Sequence, residues 1–510
     1  MGVPLATAPG FEGRLTRRQD SVWLLIGIAA VAAVIHLLTN HRYGFHRDEL
    51  QVLSDALHLD WGFVAYPPWT PFVERGGLEL FGLSLVGLRL FSTIAQALAV
   101  IVTGLMAFEL GGGKLAQVTS ALVIALSPLP MFEATEFQYT SFDYLWWVLI
   151  AYFVIRLLNT ENPRWWLAIG AIAGVGVMTK YTMCFFLSGV LAGLLLTPER
   201  RFLRSGWFWA GMALALLIFM PNLLWQVRHG FISLNFLRHI HARDVGEGRA
   251  EGFVGKQFWV CVNPLAAPLW VAGLVGFFRH RRYRMLAWMY VIPLALFLLA
   301  KGRFYYLAAA YPMLVAMGAT AGERWVQSRS RMWRGVIEGA FFIGLVGFSL
   351  YAAAVIIPLA SGGPLRDFAL KNNGDLREEI GWSELVKTVA DIRDRLPEEE
   401  RKNVGILVGN YGEQGAIEIL GSAYHLPPPI SGTNSAWLRG YPKPPPSTLI
   451  VLGLGQRYVD ETFTGCRLAG HNGNFSGVDN EESRAHPDIF VCRGPRLSWP
   501  EFWKQYQSFG

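Results

Sequence analysis

The chain has 510 residues, of which 52% are hydrophobic, 14% aromatic and only 16% charged, with a formal net charge of +7 and a pI near 9.2. Globular domains carry about a quarter charged residues, so this composition excludes an ordinary soluble enzyme and leaves a polytopic membrane protein with a soluble appendage. Nucleic acid is not the partner implied by the basic balance, because the Lys and Arg residues fall in short clusters between apolar runs, where membrane orientation accounts for them.

Arg14, Arg17 and Arg18 precede an apolar run at 22–38. Signal peptides and first transmembrane helices share this pattern, but the run is long for a signal peptide and many more follow, so an uncleaved anchor is expected after a cytoplasmic segment 1–21. Runs of spanning length recur at 85–108, 115–131, 144–158, 165–179, 182–197, 207–225, 259–278, 285–300, 304–321 and 337–359. The expected fold class is therefore an α-helical polytopic membrane protein with about 11 transmembrane helices over 22–360. Counting alternately from an inside N-terminus puts four basic groups on one side: Arg156 with Arg164, Arg200 to Arg204, Arg279 to Arg284, and Arg324 to Arg334. That side is the cytoplasm by the positive-inside rule. The outer side receives the 40–84 loop, the 132–143 turn, the 226–257 loop, residues 301–303 and the tail.

Residues 361–510 read as an exported α/β domain. Helical apolar spacing covers 383–395, and short β-type runs lie at 404–408, 448–452 and 489–491. Gly453-Leu454-Gly455 fits a strand-to-helix turn or a nucleotide-binding one. Pro-rich stretches at 427–429 and 442–446 suit rigid surface loops, and Asn474-Phe475-Ser476 matches an N-glycosylation acceptor. Cys184 and Cys261 lie in apolar runs, which leaves Cys466 and Cys492 as the pair able to form a structural disulfide in an oxidising compartment.

Unusual polar residues gather on the outer side. The stretch Tyr43-Gly44-Phe45-His46-Arg47-Asp48-Glu49-Leu50 sets adjacent carboxylates where the first span leaves the bilayer, a costly placement unless they have a role. Capping or solvating an interfacial helix is the alternative for Asp48 and Glu49. Tyr66-Pro67-Pro68-Trp69-Thr70-Pro71 is a stiff aromatic segment that cannot continue a helix and suits a cavity floor. Glu133 and Glu136 lie near the surface in the second outer turn. Asp143, at the entrance of the next span, either caps that helix or acts in chemistry.

Cations face the same side: Lys180 beside Tyr181, Arg228 and its neighbours in the fourth outer loop, and Lys301 and Arg303 at the opening of a span. Snorkelling accounts for helix-end cations, while cations held beside aromatic rings also suit a lipid-linked phosphate. His239 and His241 leave a divalent metal open, with no third ligand matched to them.

The order of these features resembles the protein O-mannosyltransferase and aminoarabinose-transferase group, membrane glycosyltransferases of the GT-C fold. The features are a basic N-terminus, a first span, Asp48-Glu49, Pro67-Pro68, Thr179-Lys180-Tyr181, and Lys301-Gly302-Arg303-Phe304-Tyr305-Tyr306. The resemblance covers residues 20 to 360. It implies Asp48 as the catalytic base, Asp143 as an assisting acid and Glu49 in support. Aminoarabinose transferases carry a Glu ahead of Lys-Pro-Pro, implicated in a metal site; here Ala65 and Tyr66 precede Pro67, so no cofactor is expected to be required.

The activity so implied is inverting transfer of a sugar from a polyprenyl-phosphate donor to a hydroxyl of an envelope lipid, glycan or protein, outside a bacterial cytoplasmic membrane. Lys301 and Arg303, then Lys180 and Arg228, are the expected phosphate-binding cations. His46, Tyr66, Pro67, Pro68, Tyr181, Tyr305 and Tyr306 are the expected cavity lining. The competing class is a membrane transporter or lipid flippase, which more often shows repeated halves and ionisable residues midway along broken helices.

Overall fold

In hydrocarbon every backbone N–H and C=O must be satisfied within its own segment, so long apolar runs become helices. The computed structural model describes residues 11–472 and 476–510, with side chains from residue 21 onward. Among these residues, 7 helices are long and apolar enough to cross a membrane: Ser21–Thr39, Leu85–Glu109, Tyr139–Thr160, Gly206–Arg228, Arg281–Leu299, Phe304–Gln327 and Arg331–Ile356. Three further runs are broken pairs: Lys114–Ala125 with Pro128–Thr135 at 57°, Met183–Leu195 with Pro198–Arg204 at 103°, and Phe253–Cys261 with Pro264–Arg279 at 102°. The chain is a multi-pass membrane protein.

Two features hold the number of crossings below the expected count of about 11. Each broken run bends where a proline opens the second limb, Pro128, Pro198 or Pro264, because proline lacks the N–H that would continue the helix. Trp165–Thr179 has only 15 residues, a rise of about 22 Å against a hydrocarbon core of about 30 Å. Up to 10 crossings result if each bent pair counts as one. Phe304–Gln327 and Tyr139–Thr160 are the central helices, largely buried, whereas Gly206–Arg228 and Arg331–Ile356 expose most of their apolar surface. Trp165–Thr179 packs along Gly206–Arg228, where Gly170 and Gly211 bring the backbones together with no room for a Cβ.

The 40–84 loop holds two helices. Arg47–Leu57, the loop helix, is buried on all sides from Glu49 to Ala56. Trp69–Phe81 follows with Pro68 as its N-cap and Pro71 in its first turn. The 66–71 stretch therefore starts a helix, a correction that follows from proline being tolerated in the first turn, where its missing N–H has no partner to lose.

Beyond Ile356 the chain forms short helices and a five-stranded sheet. Trp382–Asp394 is the amphipathic helix that 383–395 announced. The strands are β1 (Val404–Val408), β2 (Pro429–Ser431), β3 (Thr448–Leu452), β4 (Phe463–Thr464), β5 (Arg467–His471), β6 (Asp488–Cys492) and β7 (Gly494–Pro495). Sheet order is β2-β1-β3-β6-β5, with β1 parallel to β2 and β3, and β6 antiparallel to β3 and β5; β4 and β7 pair separately. Cys466 and Cys492 are disulfide-bonded, and Cys184 and Cys261 are free. Gly453, at φ +71, makes the turn from β3 towards Gln456–Thr462. Asn474 and Phe475 of the acceptor tripeptide lie outside the described residues, as do the side chains of Arg14, Arg17 and Arg18.

The tail packs on the first outer loop. Helix Tyr411–Leu420, the tail helix, lies along the loop helix. Gly415 sits on the backbone of Leu50 where any side chain would overlap it. Polar contacts fix the register: Gln414 Nε2 donates to Ser54 Oγ at 2.6 Å, and Ser54 donates to Glu418 at 2.5 Å. His58 meets Glu418 at 2.6 Å, and Arg439 donates to Asp55 at 2.5 Å.

Candidate active site

The loop helix begins at Arg47 because His46 caps it: His46 Nδ1 accepts from the Asp48 N–H at 3.2 Å, and Glu49 Oε2 accepts from the His46 N–H at 2.8 Å. Glu49 is fully buried. Arg89 forks onto it, Nε to Oε1 at 2.8 Å and Nη2 to Oε2 at 2.7 Å, and the Phe137 N–H donates to Oε1 at 2.7 Å. With both oxygens engaged by protein donors, Glu49 is a structural anchor, which corrects its assignment to the catalytic set. Arg89, fully buried, also holds the carbonyls of Asn40 and Gly44 and reaches Glu379 of the tail at 3.5 Å.

Asp48, the next residue along, behaves differently. It is half-buried, no salt bridge is formed by it among the described residues, and its Oδ1 accepts from the Tyr411 hydroxyl at 3.0 Å. Tyr411 opens the tail helix, so the N-termini of two helices meet at this carboxylate, and both add positive potential there. Arg47 lies over the Tyr411 ring at 4.7 Å and pairs with Glu481 and Glu482.

Tyr139, at the start of a central helix, carries one of the rings beside Lys180. It lies within electrostatic reach of Asp48, Tyr305, Arg303 and Tyr411. Lys180 follows directly after Trp165–Thr179, and its Nζ stands 5.0 Å from the Tyr139 ring centre, 5.2 Å from Tyr305 and 4.3 Å from Tyr306. This buried ammonium has no salt bridge within 4.0 Å among the described residues, and its charge is balanced at longer range by Asp143 and Glu133. A lysine inside three aromatic faces keeps its N–H donors for an incoming anion.

Arg303 is already forked onto Asp244, at 2.6 and 2.8 Å, with Nη1 turned to the Tyr305 hydroxyl at 3.2 Å. Lys301 is exposed, with φ +47, and no described contact joins it to this group. The structure therefore gathers Lys180 and Arg303 around the same tyrosines and leaves Lys301 apart from them. Arg228 is exposed at the end of Gly206–Arg228 with no ion pair among the described residues, and it too leaves the site.

Asp143 is buried, accepting from Trp147 Nε1 at 3.1 Å and the Thr182 hydroxyl at 3.4 Å. Its helix starts at Tyr139, so Asp143 lies in the second turn and is no cap; it faces Lys180 instead. Of the expected lining, Tyr305 and Tyr306 are in the cage. Buried Tyr66 packs on Tyr139, ring centres 5.8 Å apart, and donates to Asp55 at 2.6 Å, with Pro67 and Pro68 buried beside it. Tyr181 turns away to Asn222 and Gln226, at 3.0 and 2.7 Å. No group of three or more His, Cys, Asp or Glu able to hold a metal occurs among the described residues. Tyr139, Asp244 and Tyr411 were missed from sequence. Asp244 carried a signal, an acid within a basic loop; Tyr411, 363 positions from Asp48, carried none.

The bent helices, the outer loop helices and the tail set over them match a solved architecture. ArnT from Cupriavidus metallidurans bound to undecaprenyl phosphate is similar in fold, with a TM-score of 0.55 and 16% identity over 92% of this chain and 97% of that one. The fold and site thus define an α-helical membrane protein of the GT-C class with a C-terminal α/β region. A family model described as dolichyl-phosphate-mannose-protein mannosyltransferase matches residues 65–225. A lipid A galacturonosyltransferase of Rhizobium johnstonii is 28% identical over 48% of this chain and 53% of its own length. An undecaprenyl phosphate-alpha-4-amino-4-deoxy-L-arabinose arabinosyl transferase of Pseudomonas fluorescens is 28% identical over 53% of this chain and 52% of its own. The chain spans about half the length of these curated relatives. In sequence the chain is thus similar to membrane glycosyltransferases of the protein O-mannosyltransferase and aminoarabinose-transferase kind, and in fold to ArnT.

Proposed function

We propose that this protein transfers a sugar from a polyprenyl-phosphate donor to a hydroxyl of an envelope lipid, on the outer face of a bacterial cytoplasmic membrane. The observation that carries this reading is Lys180 held among the Tyr139, Tyr305 and Tyr306 rings, with Arg303 bonded to Tyr305 and with Asp48 within electrostatic reach of Tyr139. It combines a carboxylate without a salt bridge and cations beside aromatic faces. The acceptor oxygen loses its proton as it attacks the anomeric carbon, and Asp48 Oδ2 takes that proton. The departing phosphate gains charge, which Lys180 and the free face of Arg303 neutralise without a metal. A single in-line displacement, with base and leaving group on opposite sides, inverts the anomeric centre. The name of the Rhizobium relative, a lipid A galacturonosyltransferase, supports a lipid acceptor. The Cys466–Cys492 disulfide supports an exported tail.

The test is mass spectrometry of envelope lipids from a deletion strain complemented with wild type or Asp48→Asn at equal membrane abundance. Wild type is expected to restore a sugar-sized mass increment, and Asp48→Asn to lower its formation about 10²- to 10⁴-fold. Restoration by Asp48→Asn at the wild-type rate would show that Asp48 is not the base.

A further inference from the structure

The contacts between the outer loop and the tail carry a conclusion about what the tail does. We infer that Tyr411 is a positioning residue for the base, so that the tail domain completes the active site of the membrane domain. The inference rests on the proposed role of Asp48.

Three observations support it. The Tyr411 hydroxyl reaches Asp48 Oδ1 at 3.0 Å, and no other side-chain hydrogen bond to that carboxylate occurs among the described residues. With Oδ1 held, the other oxygen is fixed in direction and left for the acceptor proton. A phenol donating to a carboxylate is a charge-assisted bond, short and directional. Burial and the adjacent Asp48 hold the Tyr411 phenol well above its ordinary value, so it acts as donor and not as a competing base.

Second, Tyr411 is itself built in. Arg47 covers its ring at 4.7 Å and is tied to Glu481 and Glu482 of the tail. Gly510 lies beside the ring, where an added Cβ would stand 3.2 Å from it. The phenol therefore has little freedom to leave Asp48 while the tail is docked.

Third, the docking is specific in register. Tyr411, Gln414 and Glu418, on one face of the tail helix, meet Asp48, Ser54 and His58 in the same order along the loop helix. The two helices run parallel, with both N-termini at Asp48. Gly412 and Gly415 leave the room: a side chain on the first would meet the Trp382 ring, and on the second the Leu50 backbone. A surface serving only as an anchor for the tail would not need to end on the carboxylate assigned to chemistry.

The experiment uses the full chain in nanodiscs, with undecaprenyl-phosphate-linked aminoarabinose, and separately its galacturonosyl counterpart, as donor probe and lipid A as acceptor. Tyr411→Phe keeps the ring beneath Arg47 and removes only the donor. It is expected to lower kcat about 10- to 100-fold with the donor KM unchanged and the tail as protease-resistant as in wild type. In an Asp48→Asn background the same change is expected to have no further effect, because its target is gone.

An unchanged kcat, a rise in KM alone, or a loss that adds fully to that of Asp48→Asn would overturn the inference. If Asp48→Asn keeps wild-type turnover, the base assignment falls first and the inference with it. If Asp48→Asn is inactive and Tyr411→Phe is normal, only the inference falls. Absence of wild-type turnover with both donors would overturn the substrate reading beneath it.

Discussion

Arg89→Met probes the anchor beneath the site. The side chain of Arg89 is fully buried and joins three parts of the chain: its own helix, the outer loop through Glu49, Asn40 and Gly44, and the tail through Glu379. Methionine keeps most of the apolar volume and removes the charge. Glu49 is then left with the N–H groups of His46 and Phe137, within electrostatic reach of the Glu379 carboxyl in a site with no water-exposed face. Breaking a buried pair from one side costs roughly 3–5 kcal/mol, because the remaining charge is uncompensated. Two lost bonds to carbonyls add about 1 kcal/mol each.

The total is comparable with the whole stability of a typical domain, about 5–15 kcal/mol. The expected outcome is therefore a steep loss of folded protein. Fluorescence-detected gel filtration after heating in detergent measures it. Removing the stranded charge as well, in Arg89→Met with Glu49→Gln, is expected to recover at least half of the deficit. The reasoning is refuted if Arg89→Met stays within about 1 kcal/mol of wild type, or if the double variant is worse than the single one by the full effect of Glu49→Gln.

Two further outcomes follow from the tail. Gly415→Val places a branched side chain against the Leu50 backbone; it is expected to cost about 1–3 kcal/mol by overpacking and to free the tail for limited proteolysis, and wild-type protease resistance would show that the helices can part without penalty. Burial, with Glu482 nearby, pushes the Glu413 carboxyl from 4.5 up to about 8. A carboxyl raised in this way keeps a proton in the folded tail that the unfolded chain has lost, so its stabilising contribution is intact below about 4.5 and disappears as pH climbs through about 8. Thermal unfolding followed between pH 5 and 9 is expected to show falling stability in wild type and a flatter profile in Glu413→Gln; equal slopes would exclude Glu413 as the source.

Much of the membrane part was legible because hydrocarbon imposes a simple rule on sequence: each helix must supply its own backbone hydrogen bonds, so every span leaves an uninterrupted apolar run. Even so, the runs at 115–131 and 259–278 each contain a bend with a proline at the break, and the run at 182–197 turns at Pro198 just past its end. Periodicity records which residues are apolar and says little about a bend. In the tail, β1 and β3 stood out as apolar runs, while β2 has three residues and β5 is largely polar at a sheet edge, so neither carried a pattern.

The outer acids and cations were visible one by one, because charge beside a bilayer is costly and so conspicuous. Their division of labour was not. Asp48 and Glu49 are neighbours of nearly equal chemistry, and only Arg89, 40 positions on, and Tyr411, 363 positions on, separate a carboxylate forked by a guanidinium from one held by a single phenol. Lys180 and Lys301 are both lysines at helix ends, and only packing puts three tyrosine rings around the first and leaves the second exposed. The sequence by itself determined a many-helix membrane protein with an α/β tail and a set of polar residues at its helix ends and loops. The tertiary structure alone decided which of those residues meet, because partners hundreds of positions apart are chosen by how helices pack and not by any local pattern.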